Sequence, residues 1–170
     1  VGMDIDAAGL ITLRKMGRPV SPKSLDNLVE IIKKSEMKFI LKGVMTPDEA
    51  QLAVEAGADA IVVSNHGGRV LDSAPATSEV LADIAAAVKG KITILADGGV
   101  RSGGDVLKLL ALGADAVMIG RPFSIAAVGG LQGGVEMYID TIGEELKQAM
   151  VLTGTRSVTD VDRNILFTSS

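Results

Sequence analysis

Residues 94–122 read ILADGGVRSGGDVLKLLALGADAVMIGRP and contain one complete strand–helix–strand unit. The stretches 93–99 and 116–122 are short and mainly apolar, which is typical of strands buried on both faces. Between them, the apolar residues of 102–113 recur at the spacing of an amphipathic helix. We therefore predict two parallel strands connected by a helical crossover.

The same alternation continues toward the N-terminus. Apolar runs predict strands at 1–6, 38–44 and 60–66, and helical spacing predicts helices at 24–35, 46–57 and 78–90. The helix at 46–57 has Thr46 as its N-cap and Glu49 completing a capping box. The tetrapeptide GADA occurs at 57–60 and again at 113–116, each time leading into a strand. Such repeated units predict an α/β fold with parallel strands, in either a barrel or a doubly wound sheet.

The length limits how much of a barrel this chain can form. A complete (β/α)8 barrel takes about 250 residues, whereas the sequence has 170. We expect residues 1–170 to form a single partial (β/α)8-barrel domain, the C-terminal portion with about strands 4–8 of a TIM barrel. Because Val1 already belongs to a predicted strand, a fragment is favoured over a small open sheet. Residues 123–170 are its predicted C-terminal helical region, interrupted by several glycines.

The composition excludes several classes of protein. The sequence has no cysteine and one histidine, which rules out disulfides, thiolate catalysis, cysteine-bound zinc and multi-histidine metal sites. A net charge of -4 and an aromatic content of 2% argue against nucleic-acid binding. No apolar run is long enough to span a membrane, and no leader peptide is visible. We expect a cytoplasmic protein without a metal, a nucleic-acid partner or a membrane partner.

Two neighbouring predicted strands end in glycines and an arginine. The first leads into DGGVRSG at 97–103, and the second ends in Gly120 and Arg121. We expect the helix that starts near Ser102 to point free N–H groups at an anion, with Arg101 and Arg121 adding charge-assisted contacts. This pattern predicts a phosphate-binding cup. The alternative is that the glycines serve only turns and helix packing, and that the arginines are solvated.

A histidine and an arginine follow the predicted strand at 60–66. His66 is flanked by Asn65 and two glycines, and Arg69 comes three residues later. A neutral imidazole suits a general base, and a guanidinium binds a carboxylate through two hydrogen bonds. Lys42 ends the preceding strand and is expected at the barrel mouth, although a surface lysine is the alternative.

Four segments resemble one known family: ILKGV at 40–44, IVVSNHGGRVLD at 61–72, residues 94–122, and MVLTGTRSVTDVDR at 150–163. They are similar to the FMN-dependent α-hydroxy-acid dehydrogenase/oxidase family, which includes glycolate oxidase and lactate oxidase. Only the C-terminal half of that family is covered. Inosine-monophosphate dehydrogenase contains a sequence similar to residues 94–122, but the SNHGGR motif and the lack of cysteine distinguish this chain from that enzyme.

The resemblance implies catalytic roles for four residues. His66 would remove a proton from a 2-hydroxy acid, and Arg69 would bind the substrate's carboxylate. Lys42 would lie near the N1/C2=O edge of the flavin and stabilise its anionic reduced form. Asp6 falls where the family has the carboxylate that orients the histidine.

The resemblance also implies an FMN site. Ser64 would lie near the flavin ring, and Asp97 would hold ribityl hydroxyls. The FMN phosphate would be bound by Gly99, Arg101, Gly120 and Arg121.

The leading hypothesis is an FMN-dependent oxidoreductase that converts a small (S)-2-hydroxy acid, of the lactate or glycolate type, to the 2-oxo acid. This chain would be its C-terminal half, because the family's first three strands and its substrate-binding tyrosines are absent. The only tyrosine, Tyr138, is expected to be structural. We expect the isolated chain to have little activity and to form a homo-oligomer or associate with a missing N-terminal half.

Two alternatives remain at this point. The first is a non-catalytic half-barrel that binds phosphate or FMN and associates with itself, since an incomplete barrel exposes two strand edges. The second is another phosphate-binding TIM-barrel enzyme that shares only the cup.

Overall fold

A computed structural model describes residues 1–18 and 20–167 and contains a five-stranded parallel sheet. The strands are β1 (Gly2–Asp4), β2 (Ile40–Val44), β3 (Ala60–Val63), β4 (Thr93–Ala96) and β5 (Ala116–Val117). They lie side by side in the order of the chain, and every neighbouring pair is parallel. The α/β class with parallel strands is therefore confirmed. In a doubly wound sheet the strand order reverses at one point, and this sheet has no such reversal. Of the two predicted architectures, part of a (β/α)8 barrel is therefore favoured.

Helices connect the strands and extend beyond the last one. They are α1 (Ile11–Lys15), α2 (Leu25–Lys34), α3 (Pro47–Glu55), α4 (Thr77–Val88), α5 (Gly103–Ala111) and α6 (Arg121–Thr153). Short 3-10 turns occur at Asp6–Gly9, His66–Gly68 and Arg163–Ile165. The helices at 24–35, 46–57, 78–90 and 102–113 were predicted to within a few residues. Four of the five predicted strands run too far at their C-terminal ends, because the polar and glycine residues there leave the sheet. The strand predicted at 38–44 ends correctly at Val44 but begins two residues too early.

Side chains of the connecting residues define where these helices begin. At α3, the Thr46 hydroxyl accepts a hydrogen bond from Glu49 N at 3.2 Å, and the Glu49 carboxylate accepts one from Thr46 N. The predicted capping box is thus confirmed. Ser102 and Asp105 form the same arrangement at α5. Each such cap contributes about 1 kcal/mol to helix stability, so these boundaries are encoded locally.

The apolar core lies between the helices and one face of the sheet. Ile61 and Val63 of β3 belong to it, together with Leu81 and Ile84 of α4. Successive strand residues face opposite sides of a sheet, so Val62 points away from this core. Helices therefore cover one face of the sheet, and the other face is the one that a closed barrel would enclose.

Helix α6 is folded back on itself. Leu131 has φ 50° and ψ -138°, which breaks the helix into one arm at 121–130 and another at 132–153. A Cβ at Gly134 would overlap the carbonyl oxygen of Ala126, so the two arms pack backbone to backbone. The glycines that interrupt this region in the sequence permit the bend and this close approach.

Despite its 33 residues, α6 does not qualify as a membrane span. The same holds for every other helix within 1–18 and 20–167, since none combines the necessary length with sufficient apolar character.

Helix α5 packs on α6 at a distance that only glycine permits at position 103. A Cβ at Gly103 would overlap the backbone nitrogen of Leu146, whereas a Cβ at Gly104 would lie 3.7 Å from the Ser102 hydroxyl. We expect Gly103→Ala to lower the free energy of unfolding by about 1–3 kcal/mol, the usual cost of overpacking. The matched change Gly104→Ala is expected to be neutral or stabilising by up to about 1 kcal/mol. Urea unfolding of both variants checks this, and equal losses would contradict it.

Candidate functional site

A cavity of about 300 Å³ opens at the carboxyl ends of the strands. Active sites of parallel α/β proteins lie at this edge, because the loops that follow all the strands meet there. Eight of the residues predicted from sequence line the cavity: Lys42, His66, Arg69, Asp97, Gly99, Arg101, Gly120 and Arg121.

Asp6 and His66 form a pair at one side of this cavity. Nδ1 of His66 lies 3.2 Å from both carboxylate oxygens of Asp6. The side chain of His66 is 20% exposed and that of Asp6 is 15% exposed, so the pair is shielded from solvent but still accessible to a small molecule. A carboxylate at Nδ1 favours the tautomer that carries its proton there, which leaves the Nε2 lone pair free to accept a proton.

The two remaining predicted neighbours of His66 have different environments. Ser64 is fully buried, and its hydroxyl accepts a hydrogen bond from the backbone N–H of His66 at 3.1 Å. Ser64 therefore holds the backbone at His66 in place through this hydrogen bond and does not line the cavity. Arg69 is exposed and lines the cavity.

Two glycines that sequence reasoning did not select make room for these side chains. Gly43 has φ 97°, and a Cβ there would lie 2.7 Å from Cγ of Asp6. A Cβ at Gly67, which has φ 67°, would lie 2.9 Å from Nη2 of Arg121. Gly43 also coincides with a shift in the β2–β3 register, and a glycine inside a strand often marks such a bulge. That signal was present in the ILKGV segment.

Lys42 carries a partner that the sequence did not indicate. Its Nζ lies 2.8 Å from Oδ1 of Asp4, across the β1–β2 ladder. Lys42 therefore contributes less net positive charge to the cavity than a free lysine would.

The carboxylates of Asp4 and Asp6 and the imidazole of His66 each place a ligand atom within 4.8 Å of the others. Lys42 already pairs with the first carboxylate, and His66 with the second. These partners account for the cluster without a metal ion.

Unlike Lys42 and His66, the arginines of the cavity form no ion pair with a carboxylate of the described residues. Arg69, Arg101 and Arg121 take part in none of the ion pairs formed within the part of the chain that the structure describes. Three guanidinium groups that line one cavity without carboxylate partners make it a site for anions.

The expectation that the start of α5 points free N–H groups at the site holds for only part of its first turn. Gly104 N donates to no acceptor among the described residues, but its neighbours are occupied. Glu145 accepts from Gly103 N at 2.8 Å. Asp105 Oδ2 accepts from Arg101 N and Ser102 N, each at 3.1 Å. The protein's own carboxylates therefore occupy these donors, and one of the two carboxylates comes from a distant helix that the local sequence does not reveal.

Other backbone N–H groups remain available at the same edge. Those of Gly98, Gly99 and Gly120 donate to no protein acceptor within 1–18 and 20–167. Gly120 begins α6, whose first turn has no side-chain cap. A Cβ at Gly99 or Gly120 would meet nothing within 4 Å, so neither glycine is required by protein packing. Free donors and open space at a helix N-terminus favour a bound anion.

A buried acceptor lies beside these glycines. Oδ1 of Asp97 is buried and has no hydrogen-bond partner among the described residues. Buried polar atoms are nearly always paired in native proteins. Because Asp97 lines the cavity, the orphaned oxygen indicates that a bound molecule supplies the missing donor.

Comparison with known proteins gives one consistent result. Residues 7–168 match the family described as FMN-dependent dehydrogenase. L-lactate dehydrogenase of Xanthomonas campestris pv. campestris (strain B100) is 51% identical over 128 residues, which is 75% of this chain and 33% of that protein. L-lactate dehydrogenase of Caulobacter sp. (strain K31) is 52% identical over 130 residues, again 75% of this chain and 34% of that protein.

Solved structures agree with this match. Mandelate oxidase with (S)-4-hydroxymandelic acid superposes with a TM-score of 0.81 at 44% identity, over 86% of this chain and 41% of that one. Mandelate oxidase with (S)-2-phenylpropionate gives a TM-score of 0.83 at 37% identity, over 94% and 52%. The chain thus spans about a third of the length of the curated relatives and about half of the second solved chain.

The hydrogen bonds around Asp105 make a prediction about acid stability. Burial raises the pKa of Asp105, but the hydrogen bonds from Arg101 and Ser102 together outweigh it and hold the pKa below its ordinary value. A lowered folded-state pKa stabilises the fold above the unfolded value, and this stabilisation is lost as the pH falls through the folded value. We expect the urea midpoint to drop from about pH 5 to about pH 2, and Asp105→Asn to flatten this dependence.

Asp83→Asn is the matched control, since Asp83 is exposed on α4. It is expected to leave the acid dependence of the midpoint unchanged. Identical profiles for both variants would show that Asp105 does not contribute.

Proposed function

The chain belongs to the family of FMN-dependent dehydrogenases, and on that premise we propose that it forms the FMN-binding and proton-accepting part of a 2-hydroxy-acid oxidising enzyme. The substrate is a small (S)-2-hydroxy acid of the lactate or glycolate type, and the product is the 2-oxo acid. One observation carries this proposal. A single cavity is lined both by the imidazole of the Asp6–His66 pair and by three arginines that have no carboxylate partner among the described residues.

The residues of the cavity fit FMN. The orphaned carboxylate oxygen of Asp97 suits a ribityl hydroxyl as donor. The open space at Gly99 and Gly120, beside unpaired Arg101 and Arg121, suits the phosphate. In this proposal, the phosphate is held by Gly99, Arg101, Gly120 and Arg121. Lys42 lies at the ring end of the cofactor, and the buried Ser64 supports the His66 loop near that end.

FMN, when bound, would take up the two electrons that leave the substrate together with one of its two protons. The remaining chemistry belongs to side chains of this chain. Nε2 of His66 accepts a proton from the 2-hydroxy acid, and the Asp6 carboxylate at Nδ1 stabilises the imidazolium that results. Arg69 binds the substrate carboxylate and holds it next to His66.

The fold supports a further part of this proposal, that β1–β5 are about strands 4–8 of a (β/α)8 barrel. The strands follow one another in sequence order, and β1 and β5 each have one unpaired edge within the described sheet. A barrel has no such edges, so further strands would pair with both. These strands belong to the rest of the parent protein, without which the isolated chain has little activity.

The exposed apolar side chains of α6 support a second candidate, a half-barrel that binds FMN without turnover and pairs with a second copy. Ile125 and Val128 are 71% and 86% exposed. Sedimentation of the isolated chain separates the two readings. A monomer excludes the second one. A stable dimer supports it only if the complete protein also fails to oxidise 2-hydroxy acids, whereas turnover by the complete protein supports the first.

Titration with FMN, with riboflavin as the matched ligand that lacks the phosphate, tests the cofactor assignment. We expect FMN to bind at least about tenfold more tightly, because charge-assisted hydrogen bonds contribute about 1.5–3 kcal/mol each. Arg101→Ala and Arg121→Ala are expected to weaken FMN binding by about tenfold or more, with riboflavin binding unchanged. Flavin fluorescence provides both affinities.

Arg156→Ala is the control for these variants, since Arg156 is exposed and lies outside the cavity. It is expected to leave both affinities unchanged. Equal binding of FMN and riboflavin by the unaltered protein would refute the phosphate assignment.

The role of His66 is tested in the complete FMN-loaded protein by mixing it anaerobically with lactate or glycolate and following the loss of flavin absorbance. His66→Gln is expected to slow this reduction by about 100-fold or more, the range of general base catalysis, while FMN stays bound. Normal reduction by His66→Gln would show that another group accepts the proton.

A further inference from the structure

The backbone at 101–103 belongs to the half of the proposed phosphate site that contains Gly99 and Arg101. It follows Gly98 and Gly99, which have φ values of 101° and 74°. Because glycine adopts many backbone conformations, these two residues do little to fix the conformation of the loop. On its other side, the segment leads into α5. The Asp105 carboxylate ties Arg101 N and Ser102 N to the first turn of α5, and these hydrogen bonds join the loop to α5 and not to α6.

Two side chains of α6 form hydrogen bonds with this backbone segment, one at each end. The Tyr138 hydroxyl donates to the carbonyl oxygen of Arg101 at 3.3 Å. The Glu145 carboxylate accepts from Gly103 N at 2.8 Å. Tyr138 and Glu145 are about two helical turns apart, which places both on the same face of α6. One carbonyl and one N–H of the segment are thus held by a single rigid element.

The close contact at Gly103 sets the spacing between the segment and α6. Any Cβ at this position would overlap the backbone at Leu146. The distance between the segment and α6 is therefore fixed, and small movements of the loop would break the hydrogen bonds to Tyr138 and Glu145.

The same helix also begins at the other half of the phosphate site. Gly120 and Arg121 stand at the start of its first arm. The ring of Phe123 in that arm packs edge-on against Tyr138, with centroids 4.9 Å apart and an interplanar angle of 79°. Tyr138 therefore contacts both arms of α6 and the loop that carries Arg101.

We propose that Tyr138 and Glu145 are positioning residues for the FMN phosphate, which hold the loop at 101–103 in register with the start of α6. This inference rests on the proposed function and assigns a role to residues that contribute no atom to the cavity described above. The Tyr138 hydroxyl is protonated at neutral pH and able to donate, and burial raises its pKa further. The N–H of Gly103, at the positive end of α5, donates to the carboxylate of Glu145 and stabilises it in return.

The experiment compares FMN and riboflavin affinities of Tyr138→Phe and Glu145→Ala in the complete protein. Tyr138→Phe keeps the ring against Phe123 and removes only the hydroxyl. We expect the FMN dissociation constant to rise about threefold to tenfold for Tyr138→Phe and about tenfold or more for Glu145→Ala, with riboflavin changed less than about twofold. Glu145→Gln retains an acceptor oxygen and is expected to restore most of the FMN affinity.

Glu144→Ala is the matched control. Glu144 is the exposed neighbour of Glu145 and pairs with Lys147, so its loss is expected to leave both affinities unchanged. Thermal unfolding of each variant accompanies the titrations, and if Glu145→Ala does not fold, Tyr138→Phe and Glu145→Gln decide the outcome.

A loss of affinity shared equally by FMN and riboflavin would overturn the proposal, since it would show a general structural role. An unchanged FMN affinity in folded Tyr138→Phe and Glu145→Ala would overturn it as well. Failure of the proposed function looks different, because the unaltered protein would then fail to prefer FMN over riboflavin.

Discussion

The parallel pairing of all five strands is the constraint on which the site depends. It sends the loops that follow β1, β2, β3, β4 and β5 to one edge of the sheet. The apolar core between the sheet and the helices holds this arrangement in place. Residues far apart in the chain, such as Asp6 and His66, meet only because the ends of their strands are brought to this edge.

The charges at this edge are divided into two groups. On the β1–β2 side, Lys42 pairs with Asp4, and His66 pairs with Asp6. On the β4–β5 side, Arg101 and Arg121 have no carboxylate partners among the ion pairs of the described residues, and glycine N–H groups remain free. The first group suits proton transfer, since the Asp6 carboxylate lies at Nδ1 of His66 and leaves Nε2 able to accept a proton. The second group suits a bound anion. This division supports the separation of catalytic and cofactor-binding ends in the proposed enzyme.

Helix α6 adds a level of organisation that the cavity lining alone does not reveal. Its bend at Leu131 allows one helix to begin at the site with Arg121 and return to it with Tyr138 and Glu145. Glu145 occupies the N–H of Gly103, which would otherwise have been the expected anion donor. The free donors that line the cavity are consequently those of the glycine loop and the start of α6. A helix N-terminus is therefore an anion site only where the protein leaves its N–H groups unpaired.

The sequence by itself determined the alternation of strands and helices, the capping boxes, and the edge at which the polar residues would gather. These features depend on contacts between residues close in the chain, so spacing and residue type suffice to predict them. Only the tertiary structure decided that Lys42 pairs with Asp4, that Gly43 makes room for Asp6, and that Glu145 caps α5. These contacts join segments that are distant in the chain, and their geometry depends on strand register and helix packing, which no local pattern encodes.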